Sequence, residues 1–202
     1  MKRAWLIGDK VYLRAIEKTD IDNGWLDWIN DPINTLGLWS PNPQSRDQLV
    51  EYYEKSLDHS HVVMFAVCDR ENDRYIGNAR LYDINWIHRM CGYGRLIGPS
   101  EYRGKGYGSD ALIQLLRHGF HNLGLNRIWS VAWAENDISL GSNRKIGMTE
   151  EGVARDYCFK NGKFYNGVYL SMLRADFDRL HGDPDHWAKR DKQFRVGSSD
   201  RD

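Results

Sequence analysis

The sequence predicts an α+β fold: a mixed, mostly antiparallel twisted sheet flanked by helices. Three observations carry this. Hydrophobic periodicity switches between two and about 3.6 residues along the chain. Strand patterns follow one another directly in the middle and near the end, and single helical patterns join the remaining strands, as crossover connections do. The chain has 202 residues, 41% hydrophobic and 12% aromatic, with 28 basic and 28 acidic side chains. That is the composition of a globular domain with a modest extension, not of a disordered chain.

Residues 10–15 alternate Val11, Leu13 and Ala15 with polar or aromatic neighbours and read as a strand. Thr19 with Asp22 resembles a capping box, and the pairs Trp25/Leu26 and Trp28/Ile29 recur at helical spacing before Pro32. Ser45 with Gln48, followed by Leu49, Tyr52, Tyr53 and Leu57 on one face, signals a second helix. Between the two helices, residues 34–43 form a loop rich in Gly and Pro that carries Trp39. Residues 62–68, 75–83 and 91–97 are rich in β-branched and aromatic side chains and read as an antiparallel meander. From 108 to 123, Ala111, Leu112, Leu115, Leu116, Phe120 and Leu123 mark one helical face, and Gly124 is placed to stop it. Strand returns at 127–134 and a short helix at 137–146. Residues 155–160 then pair with 163–173 through Asn161-Gly162, the strongest hairpin dipeptide. The order is β, α, α, β, β, β, α, β, α, β, β. Residues 181–202 change character: Asp, Lys, Arg and Ser dominate, and we expect a charged tail that is helical at 185–194 and otherwise loose.

Composition narrows function. A formal net charge of zero lacks the basic excess that counterion release on nucleic acid requires, so no nucleic-acid partner is expected. Cys68, Cys91 and Cys158 are widely spaced and form no Cys-x-x-Cys pair, which fits a reducing, cytoplasmic setting. No apolar run approaches 18 residues, so no membrane span is expected. His118 with His121, and His59 with His61, lack the further ligands a metal would need, so no metal is expected. Asp20, Asp22, Asp27 and Asp31 read as a solvated face around the first helix.

The stretch that carries chemistry is Ile97-Gly98-Pro99-Ser100-Glu101-Tyr102-Arg103-Gly104-Lys105-Gly106-Tyr107-Gly108, a glycine-rich turn between a predicted strand and a predicted helix. Glycines at alternate positions let backbone N–H groups converge on one point, and the helix N-terminus behind them adds partial positive charge, so an anion of phosphate type is expected there. A Walker loop is excluded because five residues separate Gly98 from Gly104 and Gly106 follows Lys105. The dinucleotide fingerprint fits poorly, because Gly104, Gly106 and Gly108 give Gly-x-Gly-x-Gly after a meander.

What remains resembles the acyl-coenzyme A pyrophosphate loop of the GNAT N-acetyltransferases: Arg or Gln, two residues, Gly, one residue, Gly or Ala, matched by Arg103, Gly106 and Gly108. Asn136, Lys145-Ile146-Gly147-Met148 and Glu151-Gly152 follow in the family's order, and about residues 8 to 175 can be laid on the pattern. The openings at 6–14 and 28–32 resemble the branch that acetylates ribosomal-protein N-termini and its relatives acting on spermidine, amino sugars and antibiotics. On this resemblance, residues 1–180 are the acetyltransferase domain and 181–202 the tail.

The resemblance implies a cofactor site. The backbone of Leu96 and Ile97 would hold the pantetheine and thioester and stabilise an oxyanion. Arg103, Gly104, Lys105, Gly106, Tyr107 and Gly108 would cradle the pyrophosphate, Asn136 would bond the pantetheine arm as well as capping its helix, and Asn143 and Lys145 would lie near the cofactor. The chain departs from the family where protons move. Gly92 stands where many relatives carry Glu, and Asn143 where many carry the Tyr that protonates the thiolate. Ser139, Tyr93 and Glu135 are the substitutes. Trp39, Tyr82, Asp83 and Trp86 are the acceptor-side candidates. The implied activity is acetyl transfer from acetyl-CoA to a primary amine by direct attack in a ternary complex. The acceptor is a peptide N-terminus or, alternatively, an amino sugar, polyamine or aminoglycoside. A coenzyme A-binding sensor with little catalysis is the alternative outside enzymes, and a homodimer is the assembly the family suggests.

Overall fold

The structure, a computed structural model, describes residues 3–35, 37 and 42–199. Strands β1 (Leu6–Ile7), β2 (Val11–Ala15), β3 (Val63–Asp69), β4 (Tyr75–Asn85), β5 (Met90–Ile97), β6 (Arg127–Trp133), β7 (Thr149–Lys160) and β8 (Lys163–Leu173) form one sheet in the order β1-β2-β3-β4-β5-β6-β8-β7. β5 and β6 run parallel, joined through helix α4 (Tyr107–Arg117), whereas the other neighbours are antiparallel. This is the mixed sheet that the pattern predicts. Asn161 and Gly162, with φ of 51° and 81°, make the hairpin turn between β7 and β8.

Period-two alternation builds two cores. Val63, Phe65 and Val67 of β3 join Leu112, Leu115, Leu116 and Phe120 on one face. Met64 and Ala66 face the other way, toward Ile21, Trp25 and Leu49. The first face is covered by α4, α5 (Asp137–Lys145), α6 (Arg174–His181) and α7 (Pro184–Ser199), the second by α1 (Leu26–Asn30) and α3 (Arg46–Ser56), with the short α2 (Pro32–Thr35) following α1. Each fully buried side chain such as Phe120 contributes about 1.5–3 kcal/mol.

Three expectations change. The first predicted helix is broken into short turns and α1, because Gly24 sits at φ 128° inside it, and α2 begins separately at Pro32. Its capping box is made by Glu17 and Asp20, not Thr19 and Asp22. Asp20 is not on a solvated face: it is 1% exposed and receives both terminal nitrogens of Arg14 at 2.8 and 2.7 Å. The tail is not loose either. Its helix α7 continues to Ser199, Trp187 is 4% exposed in the larger core, and Asp191 accepts from Arg117. Arg190 lies over the rings of Trp187 and Phe194 at 4.8 and 5.1 Å. Two charges on α7, Asp191 and Arg190, are thus matched on the domain by Arg117 and Asp9. No helix among the described residues is long and apolar enough to cross a membrane.

Candidate active site

β5 and β6 pair only at Met90–Arg127, Cys91–Ile128 and Gly92–Trp129. Beyond that point β5 stays with β4 as far as Ile97–Gly77, while β6 stays with β8 as far as Trp133–Gly167. The two strands therefore part, and residues 93–97 form one edge of a gap. Alternation sends Tyr93 and Arg95 to the α4 and α5 face, and it leaves Gly92 and Gly94 beneath Tyr82 and Arg80 on the α3 face.

The glycine loop stands at the end of β5. Gly104 and Gly106 have φ of 70° and 90°, and Gly106 is the left-handed N-cap of α4, a conformation in which side chains are strained. A Cβ at Gly104 would meet nothing within 4 Å, and one at Gly108 would meet only ordinary contacts, Ile97 at 3.5 Å and Arg95 at 3.8 Å. The space above the first turn of α4 is open, with the helix N–H groups aimed into it. Asp110 anchors this turn by accepting the Lys10 and Val11 N–H groups at 2.7 and 3.0 Å.

The Arg103 side chain is held by backbone carbonyls and by α2. Its guanidinium donates to the Gly98 carbonyl and to Asn34 Oδ1, and Nε reaches the Ile97 carbonyl at 3.3 Å. It therefore ties the strand end to α2 and does not face the loop. Lys105 is exposed. The Tyr107 ring packs edge-on to Tyr102 at 4.9 Å with Lys10 Nζ 5.3 Å from its centroid, so the ring is engaged beside the loop.

On the α5 side, the Tyr93 hydroxyl donates to Asn143 Oδ1. Burial pushes the Tyr93 phenol well above its ordinary value, against the opposing effects of Arg95, Ser130 and Asn143. Asn143 is fully buried and its Nδ2 has no partner among the described residues. Sequence reasoning missed Arg95. Its Nη1 donates to the Gly108 carbonyl at 3.0 Å and Nη2 to Ser142 Oγ at 2.6 Å, and burial pulls its pKa down. The available signal was a cation in the strand that runs into an anion loop. Asn136 Oδ1 caps α5 by accepting the Ser139 N–H at 3.0 Å, and a Cβ at Gly37 would stand 3.2 Å from its Nδ2. Ser139 is half-buried in the first turn of α5, Glu135 is exposed in the turn before it, and Lys145 is exposed in the last turn.

On the α3 face, the Tyr82 ring meets Trp129 edge-on at 5.7 Å, and burial pushes its phenol up to about 12. Asp83 is exposed in the bulge that follows, at φ 51°. Trp86 does not line the gap. It sits at the β4–β5 turn, 47% exposed, with its indole N–H on the Ser60 carbonyl at 2.8 Å, beyond the closed end of the two strands. Trp39 lies outside the described residues.

An open left-handed glycine loop, a half-buried guanidinium beside it and the unpartnered Asn143 amide suit a long, phosphate-bearing, amide-containing ligand, and coenzyme A has that chemistry. Residues 10–149 match the family model of the acetyltransferase (GNAT) domain. The chain belongs to the GNAT family. It is 27% identical over 172 residues to the spermidine N(1)-acetyltransferase of Vibrio cholerae, covering 85% of this chain and 97% of that one. To YdaF of Bacillus subtilis, an N-acetyltransferase whose assignment to the ribosome is provisional, it is 32% identical over 180 residues, 85% of this chain and 96% of that one. The crystal structure of the Vibrio cholerae spermidine N-acetyltransferase with CoA and spermine superposes with a TM-score of 0.77 at 26% identity, covering 83% of this chain and 98% of that one. This GNAT protein is an acetyl-CoA-dependent N-acetyltransferase, with acetyl-CoA as co-substrate.

Proposed function

We propose that the enzyme acetylates a small primary amine by direct attack within a ternary complex. The carrying observation is the two-sided gap beyond Gly92 and Trp129: the glycine loop and the α5 side chains lie on one face, and the aromatic cluster of Tyr82, Trp129 and Tyr52 on the other. Donor and acceptor then approach one point from opposite faces. Cys91 at the closed end of the gap supports transfer without a covalent enzyme intermediate, because burial pushes its thiol up to about 12 and keeps it from acting as a nucleophile.

Acetyl-CoA supplies an acyl group activated as a thioester. The backbone of residues 104–108 binds the pyrophosphate, with Lys105 and Arg95 adding charge. Asn143 Nδ2 and Asn136 Nδ2 hold the pantetheine amides, and the backbone of Leu96 and Ile97 lines the edge beside the acyl group. Tyr93 keeps its proton at neutral pH and donates it to Asn143 Oδ1, so it is no base and instead fixes the Asn143 amide whose Nδ2 holds the pantetheine. Ser139, in the first turn of α5, is the donor to the leaving sulfur. The amine proton leaves through water toward Glu135 at the exposed rim.

Two ties across the acceptor side support a small acceptor: Arg103 to Asn34 and Lys160 Nζ to the Thr35 carbonyl at 2.6 Å. The relatives named for spermidine agree. The likeness to YdaF favours the second reading, a protein N-terminus. A homo-oligomer is supported by the dodecameric spermidine N-acetyltransferase of Vibrio cholerae and by the exposed Val153 and Phe159 on the edge strand β7. The test is thiol release from acetyl-CoA with N-terminal peptides, polyamines, amino sugars and aminoglycosides, with products identified by mass spectrometry. Acetylation of a small amine is expected, and strict preference for peptide N-termini would overturn that choice.

A further inference from the structure

The acceptor face of the gap holds a guanidinium. Arg80 pairs across the ladder with Gly94, two residues past the last β5–β6 pair. It donates to the Tyr52 hydroxyl of α3 and lies 5.5 and 5.2 Å from the ring centroids of Tyr52 and Tyr82. The absence of a side chain on Gly94 admits it, since a Cβ there would stand 3.3 Å from Arg80 Nε. Arg14, Arg117 and Arg127 each meet a carboxylate, those of Asp20, Asp191 and Glu151, whereas Arg95 and Arg103 are taken up by carbonyls and neutral side chains. Among the described residues Arg80 meets no carboxylate, and its partners are two aromatic rings and a hydroxyl.

A second cation stands on the same face. Trp129, Val131 and Trp133 alternate to the Tyr82 side of β6, and Lys160 Nζ lies 4.5 Å from the centroid of Trp133 while donating to Thr35 of α2. Arg80 beside the gap, with Lys160 over Trp133 on the same face, disfavours a polycationic acceptor by like-charge repulsion. It also offers a guanidinium fork to an anion carried by the acceptor.

We propose that the acceptor is a primary amine that also bears an anionic group, a carboxylate or a phosphate, which Arg80 receives with support from Lys160, and that the same pair of cations selects against polyamines. This inference rests on the small-amine reading above and names its substrate class. It also separates this chain from the relatives named for spermidine.

The test uses the full chain and matched acceptors. Glucosamine 6-phosphate against glucosamine reports on phosphate, a free amino acid against its amide reports on carboxylate, and spermidine is the polycation. Initial rates of thiol release are read beside calorimetric binding of each acceptor to the coenzyme A complex. In the wild type, the anionic member of at least one pair should exceed its neutral partner and spermidine in kcat/KM by roughly tenfold or more, the scale of one charge-assisted hydrogen bond. Arg80→Gln should abolish that ratio while leaving KM for acetyl-CoA unchanged. Spermidine as the best wild-type acceptor, or an anionic preference that survives in Arg80→Gln, would overturn the assignment; the first readout needs no variant to fold. Anionic amines that bind through Arg80 but are never acetylated would uphold Arg80 and remove the small-amine transfer reading. Turnover of neutral amines without any anionic preference would do the reverse.

Discussion

The ring of Tyr82 fills the space above Gly92: a Cβ on Gly92 would come within 2.6 Å of two Tyr82 ring carbons and 3.0 Å of its hydroxyl oxygen. The position where many GNAT enzymes carry a glutamate is therefore taken by a phenol from the neighbouring strand. Gly92→Glu should not restore a base. It should force Tyr82 aside, cost about 1–3 kcal/mol of stability as overpacking does, and lower turnover. Thermal melting checks the first effect, and the double variant Gly92→Ala with Tyr82→Ala should melt closer to wild type than Gly92→Ala alone.

Tyr93 brings its hydroxyl to Asn143, where relatives place a tyrosine on the helix. Tyr93→Phe should raise KM for acetyl-CoA by roughly two- to tenfold, because Asn143 loses the hydroxyl that fixes the amide proposed to hold the pantetheine. It should also cost about 1–3 kcal/mol by leaving Asn143 Oδ1 unpaired. Because burial raises the phenol, the proton stays on as pH rises through 9. Tyr93 should therefore impose no fall in kcat across pH 7 to 9, which a pH–rate profile reads.

His118 is 7% exposed against Phe65, and burial, helped by the charge of Arg117, pulls its pKa down to about 4. In the unfolded chain it titrates near 6.5, so between these values the unfolded state binds a proton that the native state refuses. Stability is lost as pH falls from about 6.5 toward 4, by up to ~3 kcal/mol. His118→Leu should flatten that limb in melting curves recorded at each pH.

Trp187 anchors α7 in the larger core, stacked 6.5 Å from Phe177. Trp187→Ala should cost about 3–5 kcal/mol, and the amides of α7 should exchange far faster in hydrogen-exchange measurements. A tail that contributed nothing to packing would leave melting unchanged.

Local chemistry was legible in the sequence, and so was the pairing of consecutive strands in the β3-β4-β5 meander and the β7–β8 hairpin; register was not. Ser45 with Gln48, Gly124, Asn161-Gly162 and the loop from Arg103 to Gly108 carry signals within a few residues, and the structure places each where its turn or cap demands. The capping box at the first turn was displaced by two residues because Glu17 competes with Thr19, and one glycine at position 24 ended a helix whose apolar spacing continues. Arg80, Arg95 and the Tyr82–Gly92 contact stayed hidden because they depend on the register of β5 against its neighbours, which no window of the sequence encodes. The direction of Arg103 depends on α2, 69 residues away in the chain. Trp187 packs beside Phe177 in the larger core and Phe194 lies under Arg70 of the distant β3–β4 turn, contacts that the composition of the tail does not encode.

Binding of coenzyme A at the glycine loop and the gap is tested most directly by hydrogen exchange with and without saturating ligand. At about 100 times Kd, amides of residues 104–109 and of the first turn of α5 should exchange roughly 100-fold more slowly, while the β7–β8 hairpin tip is unaffected. Coenzyme A that binds without protecting residues 104–109 would contradict the site.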